Sequence, residues 1–462
     1  MNRRPSCFRY FRPVLIGVAL SIVTLAQTPP TPTLSANDVS WLFPPPKQPA
    51  DLGNLISMGD LTVPNSQDPT KRDPVWSDVA FQQFLGIAAR DEARVAGTDN
   101  RIGLPTEAHT KSNWFIAGVR IDAGAPGLSP EIRNAFGQSP QIRLVVQLVT
   151  RQANGTPVPQ DIAAHLIFDF TMSSPDPPLQ AECFPRPKPD LDTFRKIVAE
   201  LAILRTNLSD GQFGGHKIVT SGAPLGIHPG LTDSTAAASL RQAMKSFLEQ
   251  HLTDQRLNAM AIMALPTNAP EPWIFLSMLK LPPGALPSLP SGGFVPVRGP
   301  TLDGQQFAEL FRFGGAVVPS PRTNNRSPIT CVNAAQFQNP GPPIANRSGS
   351  STADLFANPA PSADVAKNTL DLIADPTRSH FFNTDCVSCH TETRRAMDLL
   401  LLKELAVVSG IDPAVLPSGE WTLRNFGWSP PIEGPIHAIV TRRTAAETAA
   451  VVAFINSQLL PK

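Results

Sequence analysis

Proline partitions this chain. Fifty of its 462 residues are Pro, about twice the ~5% of average usage, and they concentrate in an N-terminal stretch and in a second stretch past residue 280. A residue that locks φ and donates no backbone N–H breaks helix interiors. The distribution therefore excludes an all-helical bundle or a coiled coil and marks two long irregular connections. What lies between them can fold: 42% of the residues are hydrophobic and 17% charged, enough to bury a core. The length suits two or three domains. A net charge of +1 excludes a nucleic-acid binder driven by bulk basicity.

The first 26 residues read as a cleaved signal peptide. Arg3, Arg4, Arg9 and Arg12 precede an apolar run over Val14–Ala26, and Thr24 and Ala26 place small residues at −3 and −1 before Gln27. The alternative is a membrane anchor, but the run is well short of the ~20 residues that span a bilayer. No later segment has the length and apolarity of a span. Cleavage would take four of the 39 basic residues, leaving 35 against 38 acidic and a net of −3. It would also remove Cys7, leaving Cys183, Cys331, Cys386 and Cys389. The expected location is periplasmic or secreted, where thiols oxidise.

Composition and periodicity divide the rest. Residues 27–75 read as a Pro-rich arm, pinned where Trp41, Leu42 and Phe43 pack on the body. Residues 76–280 read as an α+β domain of unknown function: a helix over 76–89, strands over 113–121, 141–150 and 164–171, helices over 191–204 and 235–252, then strands over 257–265 and 273–281. Strands and helices in separate runs favour α+β over a doubly wound sheet. Residues 281–362 read as a Pro/Gly/Ser-rich linker or surface belt. From residue 363 the pattern turns helical: 365–373, the segment that carries the chemistry, and a last helix over 445–459.

That segment contains Cys386-Val387-Ser388-Cys389-His390. Two thiols three positions apart on one helical turn can each add to a haem vinyl group, and the imidazole that follows can ligate the iron. Two other readings exist. A zinc half-site would need His380, His390 or His437 to complete it, and a redox dithiol would need a flanking βαβ unit that the pattern lacks.

The motif resembles that of the c-type cytochromes, and the resemblance extends over residues 363–462. Thr444-Ala445-Ala446-Glu447 reads as a capping box opening a small-residue helix like the final helix of class I domains. The resemblance implies an all-α cytochrome c-like C-terminal domain beside the α+β N-terminal one, carrying one covalent haem c on Cys386 and Cys389 with His390 as proximal ligand. In such domains the second axial ligand is a Met before the last helix. Here the single Met after the motif is Met397, on the attachment helix itself, where a core role suits it better. His437, seven residues before Thr444, stands about where that Met would be and is the candidate distal ligand. His380, a residue of the N-terminal domain, or an open position are the alternatives. Arg394, Arg395, Arg424 and Arg442 are candidate propionate partners or surface charges; Trp421, Phe426 and Trp428 are candidate pocket walls. Cys183 and Cys331 remain, either as a disulfide closing a long loop or as two buried thiols.

The expected function is electron transfer by an exported monohaem cytochrome. The partners implied are a redox protein and the haem maturation machinery, with neither nucleic acid nor a membrane span. The alternatives are a haem oxidoreductase, whose N-terminal domain binds substrate or whose iron is open as in a peroxidase, and a haem sensor or assembly protein.

Overall fold

The apolar runs between the two Pro-rich stretches build one antiparallel sheet. The computed structural model describes residues 33–264, 274–297 and 363–460, apart from 66, 69, 90–101, 182, 286–290, 379–385, 399–409, 418–423 and 432–433. The expected signal peptide, Cys331, His380 and Trp421 lie outside the described residues.

In chain order the elements begin with a short helix α1 (Ala36–Val39) and strands β1 (Ser40–Leu42), β2 (Thr62–Pro64) and β3 (Arg72–Pro74). Helix α2 (Asp78–Ala88) precedes β4 (Trp114–Asp122). Helix α3 (Pro130–Phe136) leads to the long hairpin β5 (Gln141–Arg151) and β6 (Pro157–Asp169). Helices α4 (Leu191–Ser209), α5 (Pro229–Thr232) and α6 (Ala237–His251) come before β7 (Leu257–Ala264), β8 (Ile274–Leu281) and β9 (Gly293–Val297). The C-terminal part holds α7 (Ala363–Ala374), α8 (Cys386–Asp398), the ribbon strands β10 (Phe426–Trp428) and β11 (Ala438–Val440), and α9 (Arg442–Phe454), which runs on into a π-helical turn. The seven-stranded sheet has the order β1-β4-β5-β6-β7-β8-β9, and every neighbouring pair is antiparallel.

All nine residues of β4 are buried, which is why the strand reads as a continuous apolar run without alternation: both faces of the sheet are covered there. On one face lie α4 and α6. The buried stripe of α6 is Leu240, Met244, Phe247 and Leu248, the residues its 3.6 periodicity selects, and Phe247 meets Trp41 edge-on with ring centroids 5.4 Å apart. Asp190 caps α4 by accepting from Thr193 N at 3.0 Å, satisfying one of the unpaired amides of the first turn.

The N-terminal stretch is built into this frame. Trp41, Leu42 and Phe43 are fully buried, and β1 forms one edge of the sheet against β4. Strand β6 starts seven residues earlier than its apolar run suggests, because Pro157 and Pro159 pair only with β5 and lie before the β7 ladder begins at Ile162, an edge position that tolerates a missing donor. Strand β9 lies within the stretch read as a linker. The last helix is capped a turn earlier than the expected box: Thr441 accepts from Thr444 N, while the Thr444 hydroxyl is committed to Asn425 O at 3.0 Å.

Candidate functional site

Residues opposite one another in an antiparallel ladder share a face, so register assigns the second face of the sheet. One row across it is Gly118, Val145, His165 and Ala261; the next is Arg120, Arg143, Ile167 and Ala259; on the other side lie Gln147, Ala163 and Met263. This face carries a histidine, two arginines and a glutamine where the opposite face carries Val, Leu and Ile. Polar groups in such a position need partners, and the C-terminal segment supplies them.

Gln147 donates to Trp428 O at 3.0 Å and accepts from Trp428 N at 3.1 Å. The Trp428 indole donates to Phe43 O at 2.8 Å. Phe426 covers Gly118 so closely that a Cβ at that position would overlap its ring, which explains the glycine in the middle of an otherwise bulky strand. Arg120 pairs with Glu447 and donates to Thr444 O at 2.6 Å. Asp161 pairs with Arg424, both buried. Ser40 and Thr448 share a hydrogen bond of 2.9 Å. Strand β10 and helix α9 thus lie directly on the sheet.

Helix α8 is fastened to α9 in turn. Arg442 N donates to Thr393 Oγ1 at 3.0 Å and Arg443 N to Glu392 Oε1 at 3.2 Å, so two side chains of α8 cap amides at the start of α9. Arg442 pairs with Asp371 of α7. Arg443 pairs with Glu447 at 2.7 Å, donates to Ile373 O at 3.1 Å, and lies close enough to Cys389 for a thiolate there to favour its charge. Burial alone would raise the Glu447 carboxyl, but Arg443 and Arg120 hold it well below the usual carboxylate range. Burial pushes Glu392 upward against the pull of Arg442. A cavity of about 130 Å³, lined by Asp122, Arg143, Arg443 and Glu447 together with apolar residues such as Leu128 and Val451, sits at this junction.

The motif occupies the start of α8. Cys389 and His390 are half-buried. His390 lies within electrostatic reach of His165 on β6: burial first, then the charges of His390, Arg424, Arg143 and Arg120, push the His165 imidazole down to about 3 and keep it neutral. Arg424 Nε is buried without a hydrogen-bond partner among the described residues. Thiol, imidazole and guanidinium groups around a partly apolar face are the donor set a covalent haem requires, so the residues present fit that group. Cys386, Cys389 and His390 would hold it, while Arg120 and Arg143 on the sheet face are already paired with Glu447 and Asp122.

The other sequence-predicted residues fall as follows. His437 is half-buried at the far end of the ribbon. Its Nδ1 is 3.0 Å from Ser429 Oγ and 3.2 Å from Pro435 O, and its amide donates to Ser429 Oγ at 2.9 Å. Met397 is half-buried on α8. Phe426 and Trp428 pack on the sheet. Cys183 is buried and disulfide-bonded, its partner lying outside the described side chains. Two histidines outside this region have structural roles of their own: His216 pairs with Asp233 at 2.8 Å, and His228 caps Gly230 N at 3.1 Å. Sequence reasoning passed over His165. Its signal was a single polar residue in the β6 run Ala163-Ala164-His165-Leu166, meaningful only once the register set it in line with Val145, one row from the arginines. Comparison of the chain with family models, with curated proteins and with solved structures finds no match.

Proposed function

We propose that the chain is an exported monohaem c-type cytochrome that transfers electrons, with Cys386 and Cys389 forming the two thioethers and His390 the proximal ligand. One observation carries this reading: the Cys386–His390 run opens α8, with His390 within electrostatic reach of a sheet face that bears a neutral imidazole and arginines. The haem supplies a one-electron couple at its iron. The chain's own residues anchor it, orient it and set the charge around it. Thr393 and Glu392 lock α8 onto α9, which fixes the attachment turn against the sheet. The apolar cover of Phe426 and Trp428 keeps water from the centre of that face. Arg120, Arg143 and Arg424, each already holding a carboxylate, give a near-neutral set of charges in which an electron can come and go with little rearrangement. His437 on the ribbon and His165 on the sheet are two further imidazoles that could supply a second ligand to the haem iron.

The test is covalent haem on the exported protein. Haem staining on a denaturing gel should be retained by the wild type and lost when Cys386 and Cys389 are both replaced by Ala. Disulfide mapping of the same sample should link Cys183 to Cys331; a Cys183–Cys386 bond would remove a thioether and refute the reading.

A further inference from the structure

We infer that His165, on the central strand β6, is the second axial ligand of the haem that Cys386, Cys389 and His390 would carry, and that His437 is not; this rests on the cytochrome reading above.

The position of His165 is set by the ladder. It stands on the covered face in the row of Gly118, Val145 and Ala261, hydrogen-bonded strands on both sides. A ligand on such a frame is held more rigidly than one on a loop. Two of its four nearest neighbours on that face, Ala163 and Ala261, are alanines, so the imidazole stands above its surroundings. Ile167, Ala259 and Leu279 continue the same face toward the β8 side as a half-buried apolar surface, suited to a macrocycle, while Arg120 and Arg143 flank it on the β4 side. Helix α8 approaches this face through α9: Arg443, whose amide donates to Glu392, pairs with Glu447, which also holds Arg120 one row from His165.

The ribbon takes His437 elsewhere. Phe426 covers Gly118, in the row of His165. Trp428 sits one row on, at Gln147. The residues before His437, Pro435 and Ile436, line a cavity with Pro157 and Val158 at the β5–β6 turn. Val158 pairs with Thr150 and His165 with Val145, five positions apart along β5, about 16 Å at ~3.3 Å per residue. Coordination by a second imidazole favours the ferric state over His/Met ligation, so this cytochrome would work at low potential.

The experiment uses the exported full-length protein and reads spin state rather than activity. Electron paramagnetic resonance and the reduced spectrum with carbon monoxide are recorded for wild type, His165→Gly and His437→Ala. The wild type should be low-spin and unmoved by carbon monoxide. His165→Gly should be high-spin and bind carbon monoxide, and added imidazole should restore the low-spin spectrum, which an unfolded variant would not allow. His437→Ala should stay low-spin. A His165→Gly protein that keeps its covalent haem and remains low-spin overturns the inference, as does a wild type that binds carbon monoxide. Absence of a haem-staining band in the wild type overturns the cytochrome reading itself and is distinct from both.

Discussion

Replacing Arg424 with Met tests whether the C-terminal layer rests on the sheet through the Asp161–Arg424 pair. The side chains are 3% and 5% exposed, so neither charge can recover its hydration when the other is removed. Breaking a buried pair from one side costs ~3–5 kcal/mol, whereas replacing both members with apolar residues costs far less. Arg424→Met and Asp161→Leu should therefore each destabilise by about 3–5 kcal/mol. The double variant should cost less than either single one, so the pair should recover at least ~3 kcal/mol relative to their sum. The assay is equilibrium urea unfolding followed by tryptophan fluorescence, with Trp41, Trp114 and Trp428 all buried as reporters. At a slope of ~3 kcal/mol/M each single variant should lower the midpoint by ~1–1.7 M. A shift in Arg424→Met below ~0.3 M, or strict additivity in the double variant, would refute the argument that this pair joins the layers.

Two further outcomes follow from the same framework. Gly118→Ala should cost ~1–3 kcal/mol by overpacking, because the new methyl meets the Phe426 ring; trimming the ring in Gly118→Ala/Phe426→Leu should recover part of that loss in the same urea titration. Asp169, which burial raises to about 6 against the pull of Ser139 and Asn258, keeps its proton in the folded chain after the unfolded chain has lost it near ~3.9. Its contribution to stability therefore falls as pH rises from about 4 to about 6, and Asp169→Asn should remove that fall and gain ~2–3 kcal/mol at neutral pH, read from urea midpoints across that range. His228, pushed down to about 4 by burial, titrates with the opposite sign in an overlapping window. The Asn variant should accordingly show stability rising more steeply with pH than the wild type.

Much of the sheet was legible because its strands carry their own signal. Strands β4, β5, β7 and β8 begin and end within two residues of their apolar, β-branched runs, and the stripe of α6 is the buried set. What was not legible depends on partners distant in sequence. The first half of β6 hides behind Pro157 and Pro159, which only the unpaired flank of the strand makes acceptable. Strand β9, with Pro296 inside it, reads as loop until β8 is beside it. The three-residue strands β10 and β11 have no local signature; Trp428 is placed by Gln147 and Phe43, not by its neighbours. At the site, the Cys386–His390 spacing is local chemistry and stands out unaided. His165 does not, since nothing near it in the chain says which face of β6 is which. Thr441 outcompeted Thr444 as helix cap because Asn425 claimed the Thr444 hydroxyl, another partner invisible in one dimension.

The clasp between the two ends of the described chain has a consequence in time. Leu34 and Asn456 exchange hydrogen bonds of 2.9 and 2.8 Å across 422 positions, and Ser40 meets Thr448 across 408. Contacts of that span are slow to form, because a long loop must close before any of them is rewarded. The sheet from β4 to β9 can assemble while the rest of the polypeptide is still arriving, but its polar face stays bare until α9 reaches it. Cys386 and Cys389 leave the ribosome about fifty residues before that helix begins. The polar face of the sheet is thus the last part of the described fold to be covered, and it is covered by the element that also fastens α8.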